Sequence, residues 1–150
     1  MPGEWQEHLS QSVGGALTLE FKPAVGPEDL RFLLTVLPRR KTPGATPTPL
    51  DTRGLVTEQG GRLLRSSVEA VLSVKPLRGE ETAGHYYSLT DRAPKPGEYK
   101  YLTQGVVVLG DVSFSFTVLT STAGHPAREA ALEALRRARL KLPEGPPVRR

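Results

Sequence analysis

Cysteine is absent from the 150-residue chain, and histidine occurs only three times. The missing cysteine excludes disulfide bonds, thiolate metal sites and cysteine nucleophiles, and it leaves the redox compartment undetermined. The histidines, His8, His85 and His125, lack the His-x-His or His-x-x-x-His spacing that brings two imidazoles to one metal ion. We therefore expect neither a metal site nor a cofactor.

The motifs of common enzyme classes are also missing. The chain has no Gly-x-Ser-x-Gly nucleophile elbow, no Gly-x-x-x-x-Gly-Lys-Ser/Thr phosphate loop and no Gly-x-Gly-x-x-Gly dinucleotide loop. Nucleophilic hydrolysis and nucleotide binding therefore lack their usual sequence support. On this ground we expect a protein that is not an enzyme.

Long apolar runs are absent too. Hydrophobic residues make up 37% and charged residues 24% of the chain, and no segment of about 20 apolar residues is present to form a membrane-spanning helix. The first eight residues do not combine a basic region with a following apolar one, as a secretory signal does. The chain as given indicates a cytoplasmic protein, or an exported one if a signal was removed.

The net charge of +4 is concentrated near the C-terminus. Residues 1–125 contain 13 Lys and Arg against 13 Asp and Glu, whereas residues 126–150 contain 7 against 3. The basic residues of 136–141 fall in the last turns of a predicted helix, where cations are favourable at the negative end of the helix dipole. A solvated helix end explains them better than nucleic-acid binding does, because no aromatic residues are interleaved.

The length of the chain is typical of one domain, which can bury roughly two thirds of its unfolded surface. Residues 1–15 are mostly polar and are predicted to form an N-terminal arm that Trp5 can anchor. Residues 143–150 are too short and too rich in proline to fold alone, and they are predicted to form a loose tail. Residues 16–142 are predicted to form a single domain.

Apolar and polar residues alternate in short segments that are separated by proline and glycine, a pattern typical of strands joined in hairpins. It predicts a sheet of about six strands, over residues 16–21, 31–37, 68–75, 85–90, 99–108 and 112–119. Gly110 and Asp111 are predicted to form the tight turn between the last two strands. The prolines of residues 42–49 lack N–H donors, so this segment is predicted to be a loop.

Two helices are predicted from their start signals. The first has Thr48 as N-cap, Pro49 at the first helical position and Asp51 at the third. The second begins at Pro126, and its face of small apolar residues allows close approach to a sheet. That face consists of Ala127, Ala131, Ala134, Leu135 and Ala138.

The tyrosines are the candidates for contact with a partner. Tyr86 and Tyr87 alternate on one predicted strand, whereas Tyr99 and Tyr101 share a face of the next. A tyrosine offers a large contact area with a polar tip, which suits the edge of a core and a binding surface alike. With Arg92, residues Tyr86, Tyr99 and Tyr101 form the candidate partner-binding set, and simple packing is the competing interpretation.

A catalytic interpretation requires histidine and aspartate to meet in the fold. His85 or His125 would act with Asp91 or Asp111 in a small hydrolase or lyase. His125 directly precedes a predicted helix, so it is better placed to cap that helix than to transfer a proton. Asp91 falls in a predicted solvent-exposed turn, which does not tune a carboxylate for acid or base chemistry.

Three segments together resemble the PsbP/Mog-like fold: Gly84-His-Tyr-Tyr-Ser-Leu-Thr-Asp-Arg92, Gly97-Glu-Tyr-Lys-Tyr-Leu-Thr-Gln-Gly105, and Phe114-Ser-Phe-Thr-Val-Leu-Thr120 with the helix after it. They look most similar to uncharacterised bacterial proteins of that group. The resemblance implies an α+β fold in which helices cover both faces of an antiparallel sheet, an α/β/α sandwich. It also implies non-enzymatic roles, because the group includes photosystem accessory subunits, a Ran-binding import factor and secretion chaperones.

The expected function is therefore a non-enzymatic binding or accessory module. Its partner is expected to be another protein rather than a nucleic acid, and the module itself a monomer or a homodimer. The hydrolase or lyase is the alternative, and a binder of anionic surfaces or nucleic acid through the basic C-terminal helix is the weaker one.

Overall fold

The computed structural model describes residues 5–11, 17–23, 30–37, 51–96, 98–110, 112–122 and 124–139. In these residues the chain forms a seven-stranded antiparallel sheet and two α-helices, an α+β fold. The strands are β1 (Trp5–Gln11), β2 (Leu17–Pro23), β3 (Leu30–Val36), β4 (Lys75–Arg78), β5 (Thr82–Thr90), β6 (Tyr101–Leu109) and β7 (Val112–Thr120). The helices are α1 (Thr52–Leu63), which continues into a 3-10 turn at Leu64–Ser66, and α2 (Pro126–Arg136).

The strands follow one another across the sheet in the order β1-β2-β3-β7-β6-β5-β4. Five of the predicted strands are confirmed as β2, β3, β5, β6 and β7. The seventh strand, β1, comes from the predicted N-terminal arm and pairs with β2 along its whole length. The predicted loop over residues 42–49 and the predicted tail over residues 143–150 lie outside the described residues.

The strand predicted over residues 68–75 is wrong for all but its last residue, because β4 covers Lys75–Arg78. The carboxylate of Glu69 accepts hydrogen bonds from the backbone N–H of Thr90 at 2.9 Å and from its hydroxyl at 2.8 Å. The Glu69 side chain thus accepts the hydrogen bond that the Thr90 N–H of β5 would otherwise donate to a paired strand. Pro76 sits inside β4 without harm, since an outermost strand tolerates a missing N–H.

The helix starts differ in how well the sequence predicts them. The N-cap of α1 is Asp51, whose Oδ1 accepts the N–H of Gly54 at 2.9 Å, and the predicted cap Thr48 lies outside the described residues. The start of α2 at Pro126 is confirmed. His125 caps it as predicted, because its Nδ1 accepts the N–H of Ala127 at 3.1 Å.

Two hydrophobic clusters hold the helices to the sheet, and each helix belongs to one of them. The first joins α2 to residues of β2, β3, β4, β6 and β7, and includes Leu132, Phe116 and Val107. The second joins Val56 of α1 to Tyr87, Leu89 and Val106. Since consecutive strand residues point to opposite sides of a sheet, neighbouring side chains such as those of Val106 and Val107 serve different clusters.

The sheet has two ends that differ in what surrounds them. We call one of them the groove end; there β5 begins at Thr82, β6 finishes at Leu109 and β7 begins at Val112. We call the other the tyrosine end; there β5 finishes at Thr90 and β6 begins at Tyr101. At the groove end, Gly110 turns the chain from β6 into β7 with a φ of 61°, a conformation that glycine adopts without strain. Helix α1 starts at the groove end, and α2 finishes there.

Candidate functional site

The structure separates the predicted partner-binding residues. Tyr86 lies in the middle of β5, is half-buried and packs against the first cluster. This contact agrees with simple packing, the competing interpretation of the tyrosines. Tyr101 is the first residue of β6 and pairs with Thr90. Tyr99 was predicted in that strand but precedes it, because the carbonyl of Lys100 accepts the N–H of Asp91 at 2.8 Å in a loop contact.

Arg92 has a structural role at the tyrosine end. Its Nη2 donates to the carbonyl oxygen of Ser67 at 3.0 Å, and its backbone N–H donates to the carbonyl of Ser66, also at 3.0 Å. Ser67 is buried, and its hydroxyl donates to the carbonyl oxygens of Leu64 and Glu69. Arg92 thus fixes the chain where it leaves α1.

We call the segment that follows, residues 67–74, the valine segment. Hydrogen bonds hold its first three residues, and two of its apolar side chains are exposed. Val68 is 62% exposed and Val71 is 77% exposed, the two highest values among the large hydrophobic residues described. The backbone N–H of Val68 donates to the carbonyl of Thr90 at 2.8 Å, and Glu69 holds Thr90 through the two bonds given above. Sequence reasoning missed this feature because the alternation of residues 68–75 was interpreted as a strand.

Aromatic and cationic groups lie at the same end. The Nζ of Lys100 lies 5.7 Å from the ring centroid of Tyr101, within the range of a cation–π interaction. Arg65, Lys95 and Lys100 form no ion pair with any residue in the described part of the chain. The tyrosine end therefore combines exposed apolar side chains with an aromatic ring and cationic groups.

A groove opens at the other end, between the β4–β5 turn and the start of α1. It has a volume of about 380 Å³ and is lined by Thr52 and residues 78–85. The Nδ1 of His85 and the hydroxyl of Thr52 share a hydrogen bond at 2.8 Å. Burial lowers the pKa of His85, the positive charges of Arg53 and Arg78 lower it further, and Asp51 opposes them.

The structure separates His85 from Asp91, one of the pairs of the catalytic alternative. His85 and Asp91 are six positions apart along β5 and the residue after it, which is about 20 Å in an extended chain. His125 uses its Nδ1 to cap α2, and Asp111 lies outside the described residues. Asp91 is therefore too far from His85 to act as its acid–base partner.

The basic end of α2 is partly neutralised by neighbouring acids, because two carboxylates pair with three arginines. Glu133 pairs with Arg137 at 2.8 Å and with Arg136 at 3.5 Å, and Glu80 of the β4–β5 turn pairs with Arg139 at 2.9 Å. These contacts reduce the positive charge available to an anionic surface. They support the solvated helix end over the weaker alternative.

A buried polar network lies between the two ends. The Tyr87 ring is fully buried, and burial raises its pKa to about 12. Its hydroxyl donates to Oε1 of Gln104, whose Nε2 donates to the hydroxyl of Thr117 at 3.1 Å. Every polar group in this chain of contacts has a partner, so the network stabilises the sheet rather than offering a reactive group.

Comparison with protein-family models, with curated proteins and with solved structures finds no match to this chain. Within the described ranges, no three His, Cys, Asp or Glu side chains are grouped so that they could hold a metal ion. In the same ranges no helix has the length and apolar character needed to cross a membrane.

Proposed function

We propose that this protein is a non-enzymatic binding or accessory module that docks another protein at the tyrosine end of its sheet. The observation that carries the proposal is the valine segment, where Val68 and Val71 are exposed and hydrogen bonds hold the backbone at Val68 and the side chain of Glu69. Single exposed apolar residues are common on protein surfaces. Two of them on a segment anchored at its start, at the end of the sheet that also carries Tyr101 and cations without an ion pair in the described residues, are typical of a docking surface.

The anchoring matters because binding costs free energy when a flexible segment must become ordered. Here contacts of Ser67, Glu69 and Arg92 hold the start of the valine segment in place before a partner arrives. Burying one valine contributes about 1.5–3 kcal/mol at full burial. Tyr101 adds an aromatic ring of the kind that dominates binding energy at interfaces.

The fold supports the same proposal. We infer an α/β/α sandwich of the PsbP/Mog-like kind from the two clusters, because α1 and α2 each pack on a separate set of sheet residues. The non-enzymatic roles that this resemblance implies agree with a docking function. For the catalytic alternative, His85 lies in the groove without Asp91.

The proposal is tested with two variants of the full chain. Val68→Ser with Val71→Ser removes the apolar contact, and Tyr101→Ala removes the aromatic one. Each is compared with the wild type in capture of a saturable partner from native lysate, which is identified by crosslinking and mass spectrometry. We expect both variants to weaken capture at least about tenfold, the effect of losing roughly 1.4 kcal/mol.

Arg137→Gln is the matched control, because Arg137 is an exposed residue at the groove end. It should capture the same partner as the wild type does. Equal capture by all variants would contradict the proposal. Turnover of a substrate that is lost on His85→Ala would instead favour the hydrolase or lyase.

A further inference from the structure

The groove at the opposite end has no part in the proposed docking. We propose that it binds a small organic molecule through an anionic oxygen group, a carboxylate or a phosphate, held by Arg53, Arg78 and the Nε2 of His85. Its volume of about 380 Å³ is within the range of small-molecule sites. The ligand class follows from the charges around it.

The two arginines differ from the others at this end. Arg136, Arg137 and Arg139 are all ion-paired with acids of the same end. In contrast, neither Arg53 nor Arg78 has an ion pair with a residue of the described ranges. Both lie close enough to His85 for their charges to lower its pKa. Arg78 lines the groove, and Arg53 is the chain neighbour of the lining residue Thr52. Guanidinium groups without an ion pair in the described residues favour an oxyanion, which they bind with charge-assisted hydrogen bonds.

His85 adds a directional contact. Thr52 occupies its Nδ1 at 2.8 Å, so the orientation of the ring is fixed and Nε2 is left for a ligand. The proposal assigns the tautomer in which Nδ1 accepts from the hydroxyl, because Nε2 then carries the proton of the neutral ring and donates. An anion bound there offsets the charges of Arg53 and Arg78, and it raises the pKa of the ring.

The acids near the groove limit the charge that a ligand carries. Asp51 is committed to the cap of α1, and Glu80 is neutralised by Arg139. Glu81 also lines the groove, and it has no ion pair within the described residues. It repels a polyanion such as a nucleic acid, so the ligand is expected to carry one anionic group.

The experiment follows the His85 imidazole by isotope-edited NMR in the full chain at neutral pH. Acetate and inorganic phosphate are added separately as probes, with sodium chloride at matched ionic strength as the reference. We expect a saturable shift of the His85 signals with at least one of them, and a higher His85 pKa in its presence. Saturation by acetate alone assigns the group to a carboxylate, and saturation by phosphate alone to a phosphate.

Variants then test the assignment. Arg53→Gln or Arg78→Gln should weaken binding about fivefold each, as expected for an exposed charge pair worth about 1 kcal/mol. Glu81→Gln should strengthen it, and Arg137→Gln should leave it unchanged. Shifts that stay linear and match those of chloride would overturn the proposal. Equal weakening by Arg137→Gln and Arg78→Gln would overturn it as well, and neither result affects docking at the tyrosine end.

Discussion

The two ends of the sheet differ in how far other parts of the chain cover their surface groups. At the groove end, the carbonyl of Arg136 meets the β4–β5 turn, and Arg139 pairs with Glu80 across it. At the tyrosine end hydrogen bonds hold Ser67, Val68 and Glu69, yet Val68 and, three residues further on, Val71 are exposed. The difference teaches that the exposure of Val68 is not the result of a loose chain. The docking surface that we propose depends on this combination of an anchored chain and exposed apolar side chains.

Substitution of Gly79 tests the closure of the groove end and has the largest expected effect. A Cβ at this position would lie 1.7 Å from the carbonyl oxygen of Arg136, so the turn and α2 must separate. Gly79→Ala should lower the free energy of unfolding by about 2–3 kcal/mol, measured by urea denaturation. Gly61→Ala is the control, because nothing lies within 4 Å of its added Cβ, and it should stabilise α1 by about 0.5–1 kcal/mol. Equal effects of the two variants would show that the end is not closely packed.

Removal of the Glu69 carboxylate tests the anchoring of the valine segment. Glu69→Ala deletes both hydrogen bonds from Thr90, and it should cost about 1–2 kcal/mol in the free energy of unfolding. Hydrogen exchange of the Thr90 amide should become faster, and capture of the partner should weaken although both valines remain. Unchanged exchange at Thr90 would contradict the anchoring.

The titration of Glu69 gives this test a pH dependence. Burial acts to raise the pKa of Glu69, but the hydrogen bonds from Thr90 outweigh it and hold the pKa below its ordinary value of 4.5. The folded protein therefore holds this proton less tightly than the unfolded chain does. Its contribution to stability is present above about pH 4.5 and is lost as the pH falls through the folded-state pKa. Glu69→Gln should remove this part of the pH dependence.

His85 adds a second pH dependence to the free energy of unfolding, smaller than that of Glu69. Its pKa is lowered from 6.5, so the folded protein binds the proton less readily than the unfolded chain. Stability should fall as the pH drops below about 6.5 towards the folded-state pKa, by less than about 1 kcal/mol for this half-exposed group. The melting temperature of His85→Gln across this range should decline less steeply than that of the wild type. Parallel curves would show that the groove does not perturb His85.

The smallest effect on stability is expected at the valine segment. Val68→Ser with Val71→Ser changes side chains that already face water, so the free energy of unfolding should change by no more than about 0.5 kcal/mol. Chemical denaturation measures it. A loss of several times that size would mean that the two valines pack within the fold and do not form a docking surface.

Much of the fold is predictable from local patterns. The starts of β7 and α2 follow from the turn at Gly110 and from Pro126, because each signal acts on its own part of the chain. The absence of a strand in residues 68–74 depends on Thr90, which lies far away in the sequence. The alternation of apolar and polar residues does not show that the Glu69 carboxylate accepts the hydrogen bond that a neighbouring strand would otherwise accept from Thr90.

The candidate sites are predictable only in part, for the same reason. Tyr99 and Tyr101 direct attention to the end of the sheet where we propose docking, but Tyr86 packs against the first cluster. The groove joins Thr52 to His85, residues that are 33 positions apart, and their hydrogen bond leaves no trace in the spacing of motifs. Contacts between distant segments decide both sites.

Site-specific photocrosslinking from position 71 tests the docking of a protein at the tyrosine end most directly. A photoreactive amino acid replaces Val71 in one sample and Arg137, at the groove end, in another, and both are irradiated in native lysate. Docking at the tyrosine end predicts one discrete adduct from position 71, which excess unmodified protein competes away and which position 137 does not form. No adduct from position 71, or the same adducts from both positions, would contradict it.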